Sequence, residues 1–346
     1  MKNNNIFIKK SKPFIIAEMS GNHNQSLDKA LAIVEEASKC GVDALKIQTY
    51  TADTMTLDLK ENEFFIKDKN SLWQGNSLYE LYQKAYTPWE WHKPIFDKCK
   101  ELGIIGFSSP FDASAVDFLE ELNVPLYKIA SFENTDLALL KKVAQTKKPV
   151  IVSTGMANVA EIYEAVETLR NNGCNDITLL KCTSEYPADP RDINLATIPH
   201  LQQLFPDCKI GLSDHTMGIG VSLGAIALGA KVIEKHFTIS RAEGGVDSAF
   251  SMEPSEMKLL VEQAKFVDQA IGNVHYGITP KEKNSLMFRR SLYIVEDMKA
   301  GETLTTKNLR AIRPGLGLPC KFYDILLGKK VKKDCKKGVA INWEII

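Results

Sequence analysis

Lys209-Ile-Gly-Leu-Ser-Asp-His215 and Lys231-Val-Ile-Glu-Lys-His236 are each a short apolar run ending in polar, ligand-type residues, and a glycine-rich segment of helical character joins them. Read as adjacent parallel strands, they bring Ser213, His215, Glu234 and His236 to one small volume, because alternate side chains of a strand share a face. Imidazoles on strands about 4.8 Å apart can reach a single metal ion. A lone histidine is more often a core or surface residue; a pair at matched strand ends favours ligation.

The strand–helix rhythm extends upstream. PFIIAE (13–18), VDALKIQ (42–48), GIIGFSSPFD (103–112), VPLYKIAS (124–131), PVIVSTG (149–155) and ITLLKCTSEYP (177–187) read as strands. Between them, Ser26 or Asp28 caps a helix closed by Gly41, Pro88 opens one reaching Leu102, and another runs through Glu121. Thr135 or Asp136 opens the next, a helix from Asn158 ends at Asn172-Gly173, and further helices cover 194–204 and 255–271. About eight strand–helix units in roughly 260 residues define an α/β fold, a closed (β/α)8 TIM barrel. An open doubly wound sheet is the alternative, but GIGVSLG (218–224) lacks the dinucleotide spacing and reads as close helix packing. A polar and aromatic insertion, 49–87, interrupts the repeat.

The expected domains are a barrel over 1–275, a linker over 276–288, and a small, mainly β domain over 289–346. Within the last, GKKVKKDCKKG (328–338) reads as a solvated edge hairpin rather than a phosphate patch.

Lys and Arg total 43 and Asp and Glu total 43, so no net charge draws the chain to nucleic acid or membrane. Any attraction for an anion must be local. Seven scattered cysteines without a CxxC pair argue against a disulfide framework or a structural zinc site, and Cys182 reads as a small buried hydrophobe. The opening MKNNNIFIKKSKPF lacks the apolar core of a signal peptide, and the longest uncharged run, 216–230, is short of the roughly 20 residues that span a bilayer. A cytoplasmic protein is expected.

Catalytic side chains of a barrel come from the C-terminal ends of its strands. This chain places there Glu18, with Asn22 and His23 beyond it, then Lys46 and Gln48, Ser108-Ser109, and Lys128 with Ser131 and Glu133. Ser153-Thr154, then Ser184, Glu185 and Tyr186, and finally Ser213, His215, Glu234 and His236 complete the rim. Barrel interiors hold branched apolar residues, so inward Lys46 and Lys128 need anionic partners to offset desolvation. Two lysines among hydroxyls suit a ligand bearing carboxylate and phosphate. A structural Lys–Glu pair with Glu18 or Glu234, or a Schiff-base Lys128, competes with that reading. Two histidines leave metal positions open for water and substrate, and mixed nitrogen and oxygen ligation puts Mn²⁺ first, before Mg²⁺, Co²⁺ or Zn²⁺.

IAEMSGNHNQ (16–25), ALKIQTY, SSPFD, YKIASFE, VSTGM, CTSEYP, GLSDHT and VIEKHFT, in this order, resemble the sialic acid synthase family over nearly the whole chain. The C-terminal segment, with AIRPGLGLP (311–319), resembles its antifreeze-like (SAF) domain. The resemblance implies condensation of phosphoenolpyruvate with an acetamido sugar in a domain-swapped homodimer. It implies His215 and His236 as metal ligands and Glu18 as the residue that positions or deprotonates water at the metal. Lys46, Ser109, Lys128 and Ser131 would hold phosphoenolpyruvate, with Ser153, Ser184 and Ser213 at its phosphate. Gln48, Glu133, Tyr186 and Asp247 would meet the sugar, and Arg313 of a partner subunit its N-acyl group. The aromatic insertion and RAEGGVDSAFS (241–251) look most like the pseudaminic acid branch, with Ser184, Ala249 and Phe250 giving a less polar sugar pocket. The legionaminic acid branch is the nearest alternative.

The metal and Schiff-base readings separate cleanly. Borohydride added with both substrates should trap no adduct on Lys128, while chelation abolishes turnover; a trapped adduct would favour the aldolase.

Overall fold

A computed structural model describes residues 12–69 and 71–346; the opening 1–11, read above as lacking a leader, lies outside them. The apolar runs form β1 (Phe14–Glu18), β2 (Ala44–Thr49), β3 (Ile105–Pro110), β4 (Tyr127–Ile129), β5 (Val150–Ser153), β6 (Ile177–Cys182), β7 (Lys209–Ser213) and β8 (Val232–His236). All neighbours are parallel and the sheet closes, β1 pairing with β8 through Glu18 opposite His236. The doubly wound alternative is thereby excluded.

Helices follow the strands where the capping residues stop the chain from continuing extended. Ser26 accepts from the Lys29 N–H at the start of helix Leu27–Cys40, and Gly41, at φ 82°, ends it in the left-handed region. Asp112, Asp136 and Asn158 cap helices Ala113–Glu121, Leu137–Gln145 and Val159–Asn171 in the same way. Pro88 stands just before helix Trp89–Glu101, and the helix expected over 194–204 begins only at Thr197. The insertion is not a bare loop: it holds helices Ala52–Met55 and Leu78–Ala85.

Two sets of apolar side chains divide the barrel. One large cluster fills the layer between strands and helices. A smaller one, Phe14, Ile16, Ala44, Phe107, Leu126, Ile151, Leu180 and Val232, fills the interior. Each interior residue fixes the inward parity of its strand, so the residue two further on also points inward and lies nearer the C-terminal rim. Ile16 leads to Glu18, Ala44 to Lys46 and Gln48, Leu126 to Lys128, Ile151 to Ser153, and Val232 to Glu234 and His236.

The chain divides into two compact units, the first ending at Gly272. In the second unit, 280–288 of the expected linker forms a 3-10 helix capped by Thr279. The unit is built on β9 (Ser291–Ile294) paired antiparallel with β10 (Leu309–Ile312), over a core including Leu292, Leu304, Leu326 and Ile341. The lysine-rich segment 328–338 is not an edge hairpin. It makes only isolated bridges, Thr303 to Lys330 and Met298 to Cys335, and buries Val331 and Cys335 between its exposed lysines. No helix among the described residues is long and apolar enough to cross a membrane.

Gly211 tests the closure of the barrel. It faces inward opposite Val232, and a Cβ there would lie 2.6 Å from Leu180 Cδ2 and closer still to the Val232 carbonyl. Gly211→Ala should therefore destabilise the protein by about 2 kcal/mol or more and lower Tm by roughly 5 °C. Calorimetry showing an unchanged Tm would contradict the packing.

Candidate active site

The inward parity delivers most of the expected residues to one cavity of about 290 Å³ at the C-terminal rim, a size suited to small metabolites rather than polymers. Glu18, Lys46, Gln48, Lys128, Ser131, Glu133, Ser153, Tyr186, Ser213, His215, Glu234, His236 and Asp247 all line it.

Its floor is a buried charge network. Lys46 Nζ lies 2.7 Å from Glu18 and 3.8 Å from Glu234, and donates to Ser109 Oγ at 3.2 Å. Lys128 Nζ donates to Ser153 Oγ at 2.7 Å and lies 3.6 Å from Glu234. The two lysines are 3% and 2% exposed. The Lys–Glu pairing considered above as a competing reading is thus present, and it coexists with a ligand cavity. Burial pushes Glu234 up, but both lysines and the Ser213 hydroxyl, which donates at 3.1 Å, outweigh it and hold the carboxyl below its usual range. Glu18 goes the other way: burial, reinforced by Glu234, exceeds the pull of Lys46. Burial and the neighbouring Lys46 lower Lys128 despite Glu234. Both lysines line the cavity beside Glu18 and Glu234, so a ligand entering it meets two lysine side chains.

The histidines stand at the rim with ring centroids 5.4 Å apart, close to the strand spacing used in the sequence reading. His215 Nδ1 lies 2.9 Å from the Thr183 carbonyl, which fixes its proton there and frees Nε2. His236 Nδ1 is buried without a hydrogen-bond partner, 3.7 Å from Asp247, and burial with the adjacent His215 holds the ring well below its usual pKa, neutral. A neutral, unpartnered imidazole beside one with a free Nε2 fits a divalent ion. No group of three or more His, Cys, Asp or Glu among the described residues is arranged to hold one, so two histidines would leave the other positions to water and substrate.

Several expected residues sit differently. Ser109 reaches the site only through Lys46. Ser184 converges with Ser131 on Gly155, where any side chain would collide with both hydroxyls. Ala249 is exposed, so it does not line a sugar pocket, whereas Phe250 packs against His236 and Tyr186 at 4.9 and 5.2 Å. Asn22 and His23 are structural, the first bonded to Phe237 O and Ser251, the second to Thr87. Arg313 lies in the second compact unit, in an open depression with Arg290 and Arg310. Cys182 is buried but lines the cavity, 3.9 Å from His215 Nδ1; burial raises its thiol, and the histidine contact brings it down to about 7.

Sequence reasoning missed Ser20 and most of the insertion. Ser20, at φ 47°, bonds Asp247 and accepts from Gln48 at 3.1 Å. Met55, Ile66, Trp73, Leu78, Leu81 and Tyr82 wall the cavity, and Trp73 Nε1 donates to Val246 O at 3.0 Å. The polar positions of the insertion look like a solvated loop, and only its unusual density of large apolar residues signalled otherwise.

The fold and rim define a (β/α)8 enzyme-type site in which two buried lysines and two histidines line one cavity. A family model described as the NeuB family matches residues 33–276, and one described as the SAF domain matches 289–345. The chain belongs to the NeuB family. It is 43% identical over 331 residues to the pseudaminic acid synthase of Campylobacter jejuni (96% of each chain) and 44% identical to that of Helicobacter pylori (95% of this chain, 96% of the other). The crystal structure of an N-acetylneuraminic acid (sialic acid) synthetase from Leptospira borgpetersenii, in complex with citrate, is also similar. Its TM-score is 0.71 at 30% identity, covering 79% of this chain and 90% of that one.

Glu133 offers a pH test. Its Oε2 has no partner, and burial pushes its carboxyl up to about 7 against the pull of Lys128. A raised carboxyl pKa keeps its proton in the folded state, so this group lowers stability as pH rises from 4.5 to about 7, by up to about 3 kcal/mol. Glu133→Gln should therefore be more stable than wild type at pH 7.5 and nearly equal at pH 4.5 in urea titrations. An identical difference at both pH values would contradict the shift.

Proposed function

We propose that this chain is a pseudaminic acid synthase, condensing phosphoenolpyruvate with 2,4-diacetamido-2,4,6-trideoxy-L-altrose and releasing phosphate. The observation that carries the reading is the conjunction, in one cavity, of the Lys46–Glu234–Lys128 floor with the His215–His236 pair. The relatives named pseudaminic acid synthase, similar over nearly the whole chain, support the same reaction.

In this reading Lys46 and Lys128 neutralise the carboxylate and phosphate of phosphoenolpyruvate, with Ser131 and Ser153 donating to the remaining oxygens while Ser109 orients Lys46 and Ser213 orients Glu234. His215 and His236 would hold a divalent ion, Mn²⁺ first, which supplies Lewis acidity at the open-chain aldehyde of the sugar. Gln48, Glu133, Tyr186 and Asp247 orient the sugar so that C3 of phosphoenolpyruvate faces the aldehyde carbon. Attack forms the new C–C bond and leaves an oxocarbenium ion at C2. Water adds there, and ionised Glu18 takes one of its protons and passes it to the alkoxide left by the aldehyde. The C2–O bond of the resulting hemiketal breaks as its hydroxyl proton leaves with phosphate. The firmly ionised Glu234 beneath C2 stabilises the cation as it forms, a fixed charge that needs no reorganisation.

The apolar wall of Trp73, Leu78 and Leu81 supports a 6-deoxy sugar, since a methyl group is better accommodated there than a hydroxymethyl. We further place the reaction in the cytoplasm, where phosphoenolpyruvate is made, and in a domain-swapped homodimer in which Arg313 of a second copy meets the N-acyl group.

Phosphate release from phosphoenolpyruvate should depend on added sugar, with kcat/KM highest for the 6-deoxy diacetamido altrose. Equal turnover of N-acetylmannosamine, or of the legionaminic acid precursor, would overturn the branch assignment. His215→Ala and His236→Ala should each lose roughly 10³-fold in kcat with an unchanged Tm; normal turnover by either variant would overturn the metal assignment.

A further inference from the structure

The outward faces of β7 and β8 carry a second polar network that the reaction does not touch. Asp214 and Lys235 are each 1% exposed and lie 3.0 Å apart, on the side of the strands away from the cavity. Asp214 accepts from the Thr216 N–H at 2.9 Å, the Thr216 hydroxyl at 2.7 Å and the Ser222 hydroxyl at 2.6 Å. Lys235 also donates to the carbonyls of Thr216 and Gly218, at 2.7 and 2.9 Å. Both charges are thus saturated, which is the condition for burying them.

Their place in the chain gives them a task. Asp214 lies between Ser213 and His215, and Lys235 between Glu234 and His236, so the pair sits directly behind all four site residues of these strands. The β7–β8 pairing ends at Ser213 opposite Glu234, with one more backbone bond from Asp214 N to the Glu234 carbonyl at 2.9 Å. His215 follows beyond the last rung, where no strand bond to β8 sets its separation from His236. Lys235 resumes the tie at that point by gripping the turn that follows His215 at two carbonyls and the residue that precedes it at its carboxylate.

We infer that Asp214 and Lys235 are positioning residues that fix the distance between His215 and His236, and with it the affinity of the histidine pair for a divalent cation. The inference rests on the metal reading proposed above. Groups that orient metal ligands from behind typically change metal affinity 10- to 100-fold when removed.

The test is Mn²⁺ binding to the full-length protein, followed by the electron paramagnetic resonance signal of free Mn²⁺, alongside Tm. Replacing a buried ion pair with apolar groups of similar volume is often neutral for folding. Asp214→Leu with Lys235→Met should therefore keep a cooperative transition while its Kd for Mn²⁺ rises at least roughly tenfold. Thr216→Val with Ser222→Ala keeps both charges and loosens only the carboxylate; it should fold and weaken Mn²⁺ several-fold. Should the first variant not fold, the second still decides. A folded variant of either kind with wild-type Kd and kcat would overturn the inference, since a purely structural role predicts that result. Wild-type protein that binds no Mn²⁺ would instead overturn the metal reading beneath it.

Discussion

Glu234 shared between Lys46 and Lys128 is the constraint on which the rest of the site depends. Each of these groups, taken from water singly into a barrel interior, costs several kcal/mol. Together they are tolerable only because the carboxylate is within 4 Å of both ammonium groups and Ser213, Ser153 and Ser109 satisfy further hydrogen bonds. That requirement fixes the register of β2, β4, β7 and β8 as firmly as the apolar layer beneath does. A one-residue slip of β8 would send Glu234 outward, leaving Lys46 with Glu18 alone and Lys128 without its carboxylate.

The same network gives the proposed anion site a local source of positive charge in a chain whose net charge is zero. Lys46 and Lys128 meet there, with Glu234 held below its usual range between them and Glu18 raised by burial. Coulomb attraction is several times stronger there than on the surface. The lysines of segment 328–338 cannot substitute for it, exposed as they are and, at Lys336, already paired with Asp297.

Much of this was legible in the sequence because strand parity is a hard rule. Once PFIIAE and VIEKH are strands with apolar interior residues, the inward direction of Glu18, Glu234 and His236 follows without knowledge of the tertiary contacts. Strand ends were less legible: VPLYKIAS contributes only Tyr127–Ile129, because Ser131–Glu133 already turns as a 3-10 helix. The insertion was legible as aromatic but not as a wall, since its contact with Val246 spans 173 positions and no local pattern announces it. Segment 328–338 misled for the opposite reason. Its lysines dominate the composition, while the residues that matter to folding are Val331 and Cys335, single buried side chains with too little periodicity to register.

Asp214 and Lys235 escaped notice because they sit at the outward positions of strands whose inward positions held the chemistry. Outward positions of a barrel face helices and are normally apolar, as Leu212 and Ile233 are here. A charge at that position on each of two neighbouring strands is a double exception to the pattern. Each would be expensive alone, and each is matched by the other and by the turn at 216–218. β7 and β8 therefore carry polar groups on both faces at the same level of the barrel. On the inner face they leave His236 Nδ1 unsatisfied, and on the outer face every named donor and acceptor is paired. The contrast has a physical logic: the satisfied side can hold the backbone still, so that the unsatisfied side keeps its unmet capacity for a ligand instead of relaxing to consume it.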